Sequence, residues 1–389
     1  MKDKRIIVIA DDITGAAEMA GIAHRLGLRV ELFMSTATVS SPKEDTDVLV
    51  IATDTRSMTE TEAVKETQHI LSLLSSLSTL SSPTQTLLFK KTDSALRGHV
   101  MAELEAILNH TDYQRALYIP ANPSKERIIR DGIYYIHEKP IHQTDFSFDP
   151  EFPAISSVIS ERFPTIKRFS SSTIGDTKGI FYTDATSKED IQQAVNNAPA
   201  HTLFAGAADL FETFLFFHFS LLTPHSSLHT PHSPLLTPHS SLPTPHSTLI
   251  ICGSTQSKPI DCGISTSYMP TSVYDGKEDA STWTKQILLE YRQTRSMILA
   301  IKDTHRNNKE SAVYLRHAMA ETAHALISAH CPKELIIEGG ATAFAILQKL
   351  KWHAFTITHE IAPGVIRMQA TNGTIVTLKP GSYPWGGLF

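Results

Sequence analysis

The chain has 389 residues, 41% hydrophobic and 19% charged, with 35 Lys and Arg against 40 Asp and Glu, a formal charge of −5. That much apolar side chain builds real cores, which excludes a mostly disordered chain, and at ~150 residues per domain the length suits two or three domains. The balanced charge gives no reason to expect nucleic acid or an anionic membrane surface as a partner.

In chain order, Arg5 to Ala10 is a short apolar, β-branched run that predicts a buried strand. Asp11 and Asp12 end it. Thr14 offers an N-cap oxygen to a helix whose apolar face is Met19, Ala20, Ala23 and Leu26, with Gly27 as its C-terminal stop. Leu28 to Phe33 and Asp47 to Ala52 read as the next strands, and Glu60 to Leu77 as a helix. Leu87 to Lys91 is a strand, His99 to Leu108 a helix, and Arg115 to Ile119 another strand. This alternation predicts a mostly parallel, doubly wound α/β sheet for an N-terminal domain, residues 1–215.

From Leu221 the tetrapeptide TPHS recurs at Thr223, Thr230, Thr237 and Thr244. The prolines forbid a continuous helix, so residues 216–247 read as a low-complexity linker. Its regular histidines can bind a metal loosely, but expansion of a tolerated surface loop is the simpler reading. Residues 248–389 form a second α/β domain with a mixed sheet. Its expected elements are a strand at Thr248 to Ile251, a helix at Ser281 to Thr294, a strand at Ser296 to Ile301, a helix at Ser311 to His330 and a strand at Glu334 to Ile337. Asn372-Gly373 between two strand-like runs is a hairpin signal.

The three cysteines, Cys252, Cys262 and Cys331, make no disulfide framework and no Cys-x-x-Cys pair. The N-terminal apolar run is too short for a signal peptide, and the most apolar stretch, Leu210 to Leu222, is broken by Glu212 and His218. A cytoplasmic protein is expected, with no membrane partner. The apolar helix at Ser311 to His330 can pack inside its domain or on a second copy, which leaves a homo-oligomer open.

In open α/β sheets ligands bind at the carboxyl ends of the strands. There lie Asp11 and Asp12, Arg56, and the run Lys90-Lys91-Thr92-Asp93-Ser94-Ala95-Leu96-Arg97-Gly98. Carboxylates mixed with arginine forks suit a small anionic ligand, although salt bridging and N-capping explain each residue singly. A phosphatase whose first strand ends in Asp-x-Asp is disfavoured, because the residue two after Asp11 is Ile13. In the second domain Gly253-Ser254, Gly339-Gly340-Ala341-Thr342 and Lys379-Pro380-Gly381-Ser382 are small-residue loops that suit a nucleotide phosphate. Neither a Walker A nor a Gly-x-Gly-x-x-Gly pattern is present.

Taken together, ADDITGA, TDTRS, KKTDSALRG, IPANPSKERIIRDGIYYI, DFSFDPEFP, GS at Gly253-Ser254, EGGAT and the final KPGSY resemble the four-carbon acid sugar kinases, which act on 3-oxo-tetronate, D-threonate or D-erythronate. The resemblance covers nearly all of the chain except the repeats. It implies an N-terminal domain that holds the acid, a C-terminal domain that holds ATP, and transfer to a sugar hydroxyl in the cleft between them, with Mg2+ expected. By motif, Asp11, Asp12, Arg56, Lys90, Asp93 and Arg97 would face the substrate. Ser254, Gly339, Gly340, Ala341, Thr342 and Gly381 would face the nucleotide. Arg56 and Arg97 are then expected to hold the substrate carboxylate, and Asp12 to act as catalytic base. The family pattern has aspartate where this chain has Ala341, which keeps a non-catalytic binding protein on the same scaffold as an alternative, beside a phosphatase-like hydrolase.

Overall fold

The computed structural model describes residues 4–34, 42–78, 85–149, 151–169, 177–219, 247–253, 262–302 and 309–381. They fall into two compact units, Met1–Thr223 and Pro224–Phe389. The TPHS repeats and Ser254 lie outside the described residues.

In the first unit β1 (Lys4–Ala10), β2 (Val30–Met34), β3 (Val48–Ala52), β4 (Gln85–Lys91) and β5 (Arg115–Ile119) occupy the expected apolar runs. Helices α1 (Ile13–Arg25), α2 (Glu60–Ser78) and α3 (Val100–His110) follow β1, β3 and β4. After β5 the alternation breaks into a small antiparallel meander of β6 (Arg127–Arg130), β7 (Ile133–Ile136) and β8 (Lys139–Pro140). Helix α4 (Ile159–Arg162), strands β9 (Lys167–Arg168) and β10 (Gly179–Tyr182), α5 (Lys188–Asn197), β11 (Thr202–Gly206) and α6 (Ala208–Phe219) complete the unit. Its main sheet runs β2-β3-β1-β4-β11-β5-β10-β9, parallel at every pairing. The middle strands are buried on both faces, as a parallel sheet covered by helices requires: Ile6, Ile7, Val8, Ile9 and Ala10 are all buried, on alternate sides of β1.

Register decides which loops meet. Ala10 pairs with Ala52 on one side and Lys91 on the other, so Asp11, Thr53 and Thr92 leave the sheet side by side. Backbone bonds lock them, from Thr53 N to Ala10 O at 2.9 Å and from Arg56 N to Asp11 O at 3.2 Å. The N-cap of α1 differs from the expectation. Asp12, with extended backbone, accepts from Gly15 N at 2.9 Å, while the Thr14 hydroxyl donates to the other Asp12 oxygen at 2.5 Å. Thr14 is already inside the helix, so its hydroxyl braces the cap rather than making it. Gly27 stops the helix as expected, at φ +82° with its N–H on His24 O at 2.9 Å.

In the second unit β12 (Thr248–Cys252), β13 (Thr266–Tyr268) and β14 (Met297–Ala300) are followed by β15 (Glu334–Glu338), β16 (Ala354–Ala362), β17 (Val365–Ala370) and β18 (Ile375–Lys379). Its helices are α7 (Thr271–Tyr274), α8 (Ser281–Thr294), α9 (Lys309–Ala329) and α10 (Gly340–Lys349). The sheet order is β13-β14-β12-β15-β18-β17-β16, parallel through β18 and antiparallel beyond it, so it is mixed. The Asn372-Gly373 turn joins β17 to β18 as the hairpin signal required, with Ala370 N on Thr374 O at 2.9 Å. Helix α9 turns Leu315, Met319, Ala323 and Leu326 inward and packs on α8 and α10 within its own unit.

Candidate functional site

The first site is a lattice of aspartates and arginines on the strand ends β1, β3 and β4. Arg56 lies in a short 3-10 turn, Thr55–Ser57, that the bond to Asp11 O pulls over β1. Its fork closes on Asp11, Nε to Oδ2 at 3.1 Å and Nη2 to Oδ1 at 2.9 Å. Nη2 also reaches Asp12 Oδ1 at 3.0 Å, and Nη1 lies 3.6 Å from Asp93 Oδ1. Arg97 forms a second fork on Asp93, with both contacts at 2.9 Å, and its Nη1 lies 3.4 Å from Asp149. Asp93 additionally accepts from Ala95 N at 2.9 Å and Arg97 N at 3.3 Å. These bonds hold a turn in which Leu96 sits at φ +63°, a strained value for a leucine. Arg162 braces that turn by donating to Leu96 O at 3.2 and 2.9 Å.

Exposure grades the lattice. The side chains of Asp11 and Asp93 are 2% and 9% exposed, whereas Asp12, Arg56 and Arg97 are 15%, 16% and 29% exposed. The inner carboxylates therefore position the outer groups. Charge states differ accordingly. Burial pushes the Asp11 carboxyl up, and the Arg56 charge only partly offsets it. Burial acts the same way on Asp12, but there the charges of Arg56 and Lys91 and the Thr14 hydroxyl outweigh it and hold the group below its ordinary value. Against the same burial, Arg97 and Arg56 hold Asp93 well below the usual carboxylate range. Asp12 is thus an ionised carboxylate at the mouth of the lattice.

The two lysines of the KKTD motif face opposite ways, as consecutive strand residues must. Lys90 is fully buried, with Nζ 2.6 Å from Glu103 Oε1 on α3, and Glu103 also takes the Thr55 hydroxyl at 2.8 Å. It supports the Arg56 loop from beneath and does not join the outer groups. Lys91 does, alongside Glu18 at 3.9 Å, and a Cβ on Gly15 would come within 3.3 Å of its Nζ and 2.5 Å of Asp12 Oδ1. Only glycine leaves room at position 15 for this packing. Sequence reading passed over Lys91, Glu18, Arg127, Phe146 and Asp149. Strand alternation identifies Lys91 in retrospect, Glu18 lies on α1, and Arg127, Phe146 and Asp149 lie in the PSKERIIRDG and DFSFDPEFP segments.

The second site lies in the other unit, where Cys252, Glu338 and Lys379 are in register on β12, β15 and β18. Gly253, Gly339 and Pro380-Gly381 therefore leave the sheet together. Gly253 N donates to Glu338 O at 3.3 Å, and Gly339 N to Lys379 O at 2.9 Å. Gly339 turns into α10 at φ +96°, and a Cβ on Gly253 would lie 2.4 Å from Thr342 Oγ1. Lys379 is buried against Glu338 at 2.6 Å and reaches Gly381 O at 3.5 Å, which ties the third loop to the second. Gly340 opens the helix, Ala341 is exposed on its first turn, and Thr342 is buried. Close-packed backbone beside a helix start is what a phosphate cradle needs.

Among the described residues no group of three His, Cys, Asp or Glu is placed to hold a metal, and no helix is long and apolar enough to cross a membrane. A large cavity of about 810 Å³ in the first unit is lined by Arg5, Leu49, Leu71, Leu88, Phe204 and His218. These lie towards the opposite strand ends, and the cavity includes none of the sequence-expected site residues.

Residues 6–214 match the sugar-binding N-terminal domain family, and residues 275–383 the nucleotide-binding C-terminal domain family. A D-threonate kinase of Salmonella typhimurium is 30% identical over 227 residues, covering 53% of this chain and 52% of that protein. A D-erythronate kinase of Heliobacterium modesticaldum is 28% identical over 160 residues, 40% of this chain and 35% of that one. A 3-oxo-tetronate kinase of Escherichia coli is 28% identical over 158 residues, 40% and 39% of the two chains. The matches thus span about half the length of these relatives or less. A solved structure from Salmonella typhimurium LT2 shares the fold, with a TM-score of 0.73 at 17% identity over 98% of this chain and 96% of that one. The first domain match alone spans more than half of the chain, and with its two domains in that order the chain belongs to the four-carbon acid sugar kinase family.

Proposed function

We propose that the protein is an ATP-dependent kinase that phosphorylates a hydroxyl of a four-carbon sugar acid of the threonate, erythronate or 3-oxo-tetronate type. One observation carries this reading. An ionised Asp12, accepting from Gly15 N as the cap of α1 and steadied by Arg56, stands at the strand ends of a domain that matches sugar-binding domains. Phosphoryl transfer passes through a loose transition state, so the acceptor hydroxyl needs orientation and a late proton acceptor more than a strong base. A carboxylate held below its ordinary pKa suits that demand. Asp12 accepts the hydroxyl proton, Arg56 fixes the Asp12 oxygen and spreads its charge, and Asp11 and Asp93 fix Arg56.

The glycine loops suit a nucleotide by their closeness to a helix start, where a side chain at Gly253 would collide with Thr342 on the first turn of α10. Gly340 and Gly381 would hold its phosphates by backbone N–H groups and Thr342 by its hydroxyl, with Gly253 and Gly339, whose own N–H groups are taken by Glu338 O and Lys379 O, allowing close approach of the backbone and Ala341 on the first turn beside them. ATP supplies the transferable phosphoryl group. Among the described residues no carboxylate cage is placed for magnesium, because Asp11, Asp12 and Asp93 are turned onto arginines and Glu338 onto Lys379. It would enter with the phosphate oxygens of the nucleotide.

The test is ADP release by the full chain with ATP, magnesium and a panel of tetronates and 3-oxo-tetronates, beside Asp12→Asn. Acid-dependent ADP that vanishes in the variant is the expected result. No ADP with any acid would refute the kinase. Ala341 favours one second reading, a protein that binds the acid without turnover, and saturable binding without ADP would establish it.

A further inference from the structure

The kinase reading leaves the carboxylate of the acid without a partner. Arg56 and Arg97 were expected to hold it, yet their forks are closed on the protein's own Asp11, Asp12, Asp93 and Asp149. Four carboxylates face two guanidinium groups there, with Lys91 as the additional cation near Asp12. A second small anion laid on that lattice would have to displace a buried carboxylate and meet repulsion from the rest. The lattice suits hydroxyl groups better than another carboxylate.

We propose that Arg127 binds the substrate carboxylate and so sets the preference for a sugar acid over a neutral polyol. This rests on the sugar-acid reading above. Arg127 opens β6, and its backbone is fixed by a two-way bridge with Asn122, at 2.7 and 3.2 Å. Asn122 is itself anchored, its Oδ1 accepting from Asp209 N at 3.2 Å. The Arg127 side chain comes to the same rim as the lattice. Its Nη1 donates to the hydroxyl of Ser94, next in sequence to Asp93. Its guanidinium lies 5.7 Å from the centre of the Phe146 ring, and that of Arg97 lies 5.5 Å from the same ring. Among the described residues no carboxylate lies within ion-pairing distance of Arg127, unlike Arg56 and Arg97. An arginine steadied by an aromatic ring and a single hydroxyl keeps N–H groups for a planar, bidentate partner, which is the geometry of a carboxylate. The one ring also ties its position to that of Arg97, so acid and hydroxyl groups of a short substrate are presented in a fixed relation.

The experiment measures calorimetric binding of D-threonate, D-erythronate and the amide of each acid to the full chain, without nucleotide, for wild type, Arg127→Gln and Arg127→Lys. ADP release is followed in parallel. The expected result is that Arg127→Gln raises the Kd of the acids by about 10- to 100-fold, the range for a lost charge-assisted bond, and leaves the amides unchanged. Arg127→Lys, which keeps the charge and loses the fork, falls between. A uniform loss for acid and amide, or no loss for either variant, would overturn the assignment, and wild-type ADP release would leave the kinase standing. Arg127-dependent binding of acid with no ADP release would sink the kinase reading alone. If Arg127→Gln melts well below wild type, Arg127→Lys decides, and unchanged acid-over-amide preference in it at equal stability counts against the proposal.

Discussion

Replacing Lys90 by Met tests whether this lysine supports the site or touches the substrate. Lys90 and Glu103 have side chains 0% and 2% exposed, with charges 2.6 Å apart. Removing one member of such a pair strands the other charge in the core, which typically costs ~3–5 kcal/mol. For a unit of this size 1 kcal/mol shifts Tm by ~2–4 °C, so Lys90→Met should lower the melting of the N-terminal unit by ~6–20 °C. Replacing both partners by Met should restore most of that loss, because an apolar pair of similar volume is usually neutral or better. The hydroxyls left behind stay satisfied. Thr55 Oγ1 keeps Thr53 Oγ1 at 2.9 Å, and Thr67 Oγ1 keeps Ala63 O at 2.8 Å. Differential scanning calorimetry reads the stability, and titration with D-threonate reads the site. The reasoning predicts a double variant that melts near wild type and binds acid within a few-fold of it. A single variant with unchanged Tm, or a double variant that folds well yet binds no acid, would refute it and return Lys90 to the substrate.

At Asp12 the two roles of the side chain separate. Asn caps a helix about as well as Asp, so through the cap Asp12→Asn should keep stability within ~0.5 kcal/mol of wild type while Asp12→Ala loses ~1 kcal/mol. Both should lower acid-dependent ADP release by ~10²–10⁴-fold, the usual span for a lost proton acceptor. His218 is pushed down to about 4 by burial and by Lys4, with Phe214 at 4.4 Å between ring centres. A histidine harder to protonate when folded contributes full stability above 6.5, and that contribution fades as pH falls towards 4. Denaturant melts of His218→Phe should therefore show a shallower fall across this window, by less than ~1.4 kcal/mol per pH unit because the ring is partly exposed; equal slopes would contradict it. Ala341→Asp places a carboxylate on the exposed first turn of α10 and should raise stability by ~0.3–1 kcal/mol through the helix dipole. If the nucleotide enters with magnesium at that turn, the same change should tighten ATP binding in magnesium and not in EDTA, as calorimetry would show.

The α/β alternation was legible because buried parallel strands are continuous aliphatic runs, and the loops after β1, β3 and β4 carried their polar residues in plain view. The order of strands was not. Strand β11 inserts between β4 and β5 although more than a hundred residues separate it from β4 in the chain, and no local pattern encodes that placement. The same non-local geometry separates Lys90 from Lys91. They are adjacent in the motif and equally basic, yet one meets Glu103 from α3 in the core and the other stands beside Asp12, Gly15 and Glu18. Only knowledge of what covers each sheet face distinguishes a support from a site residue. Charge pairing was hidden for a like reason. Two arginines beside aspartates read equally well as an anion pocket or as ion pairs, and the distances show that the aspartates occupy both forks. What the motif could not show was a third arginine, Arg127, brought to the rim by the meander and held by Ser94 and Phe146 rather than by a carboxylate. A site that must bind an anion and also keep an acceptor aspartate ionised needs its cations in two classes, those neutralised by the protein and those left for the ligand. In this lattice Arg56 and Arg97 fall into the first class and Arg127 into the second.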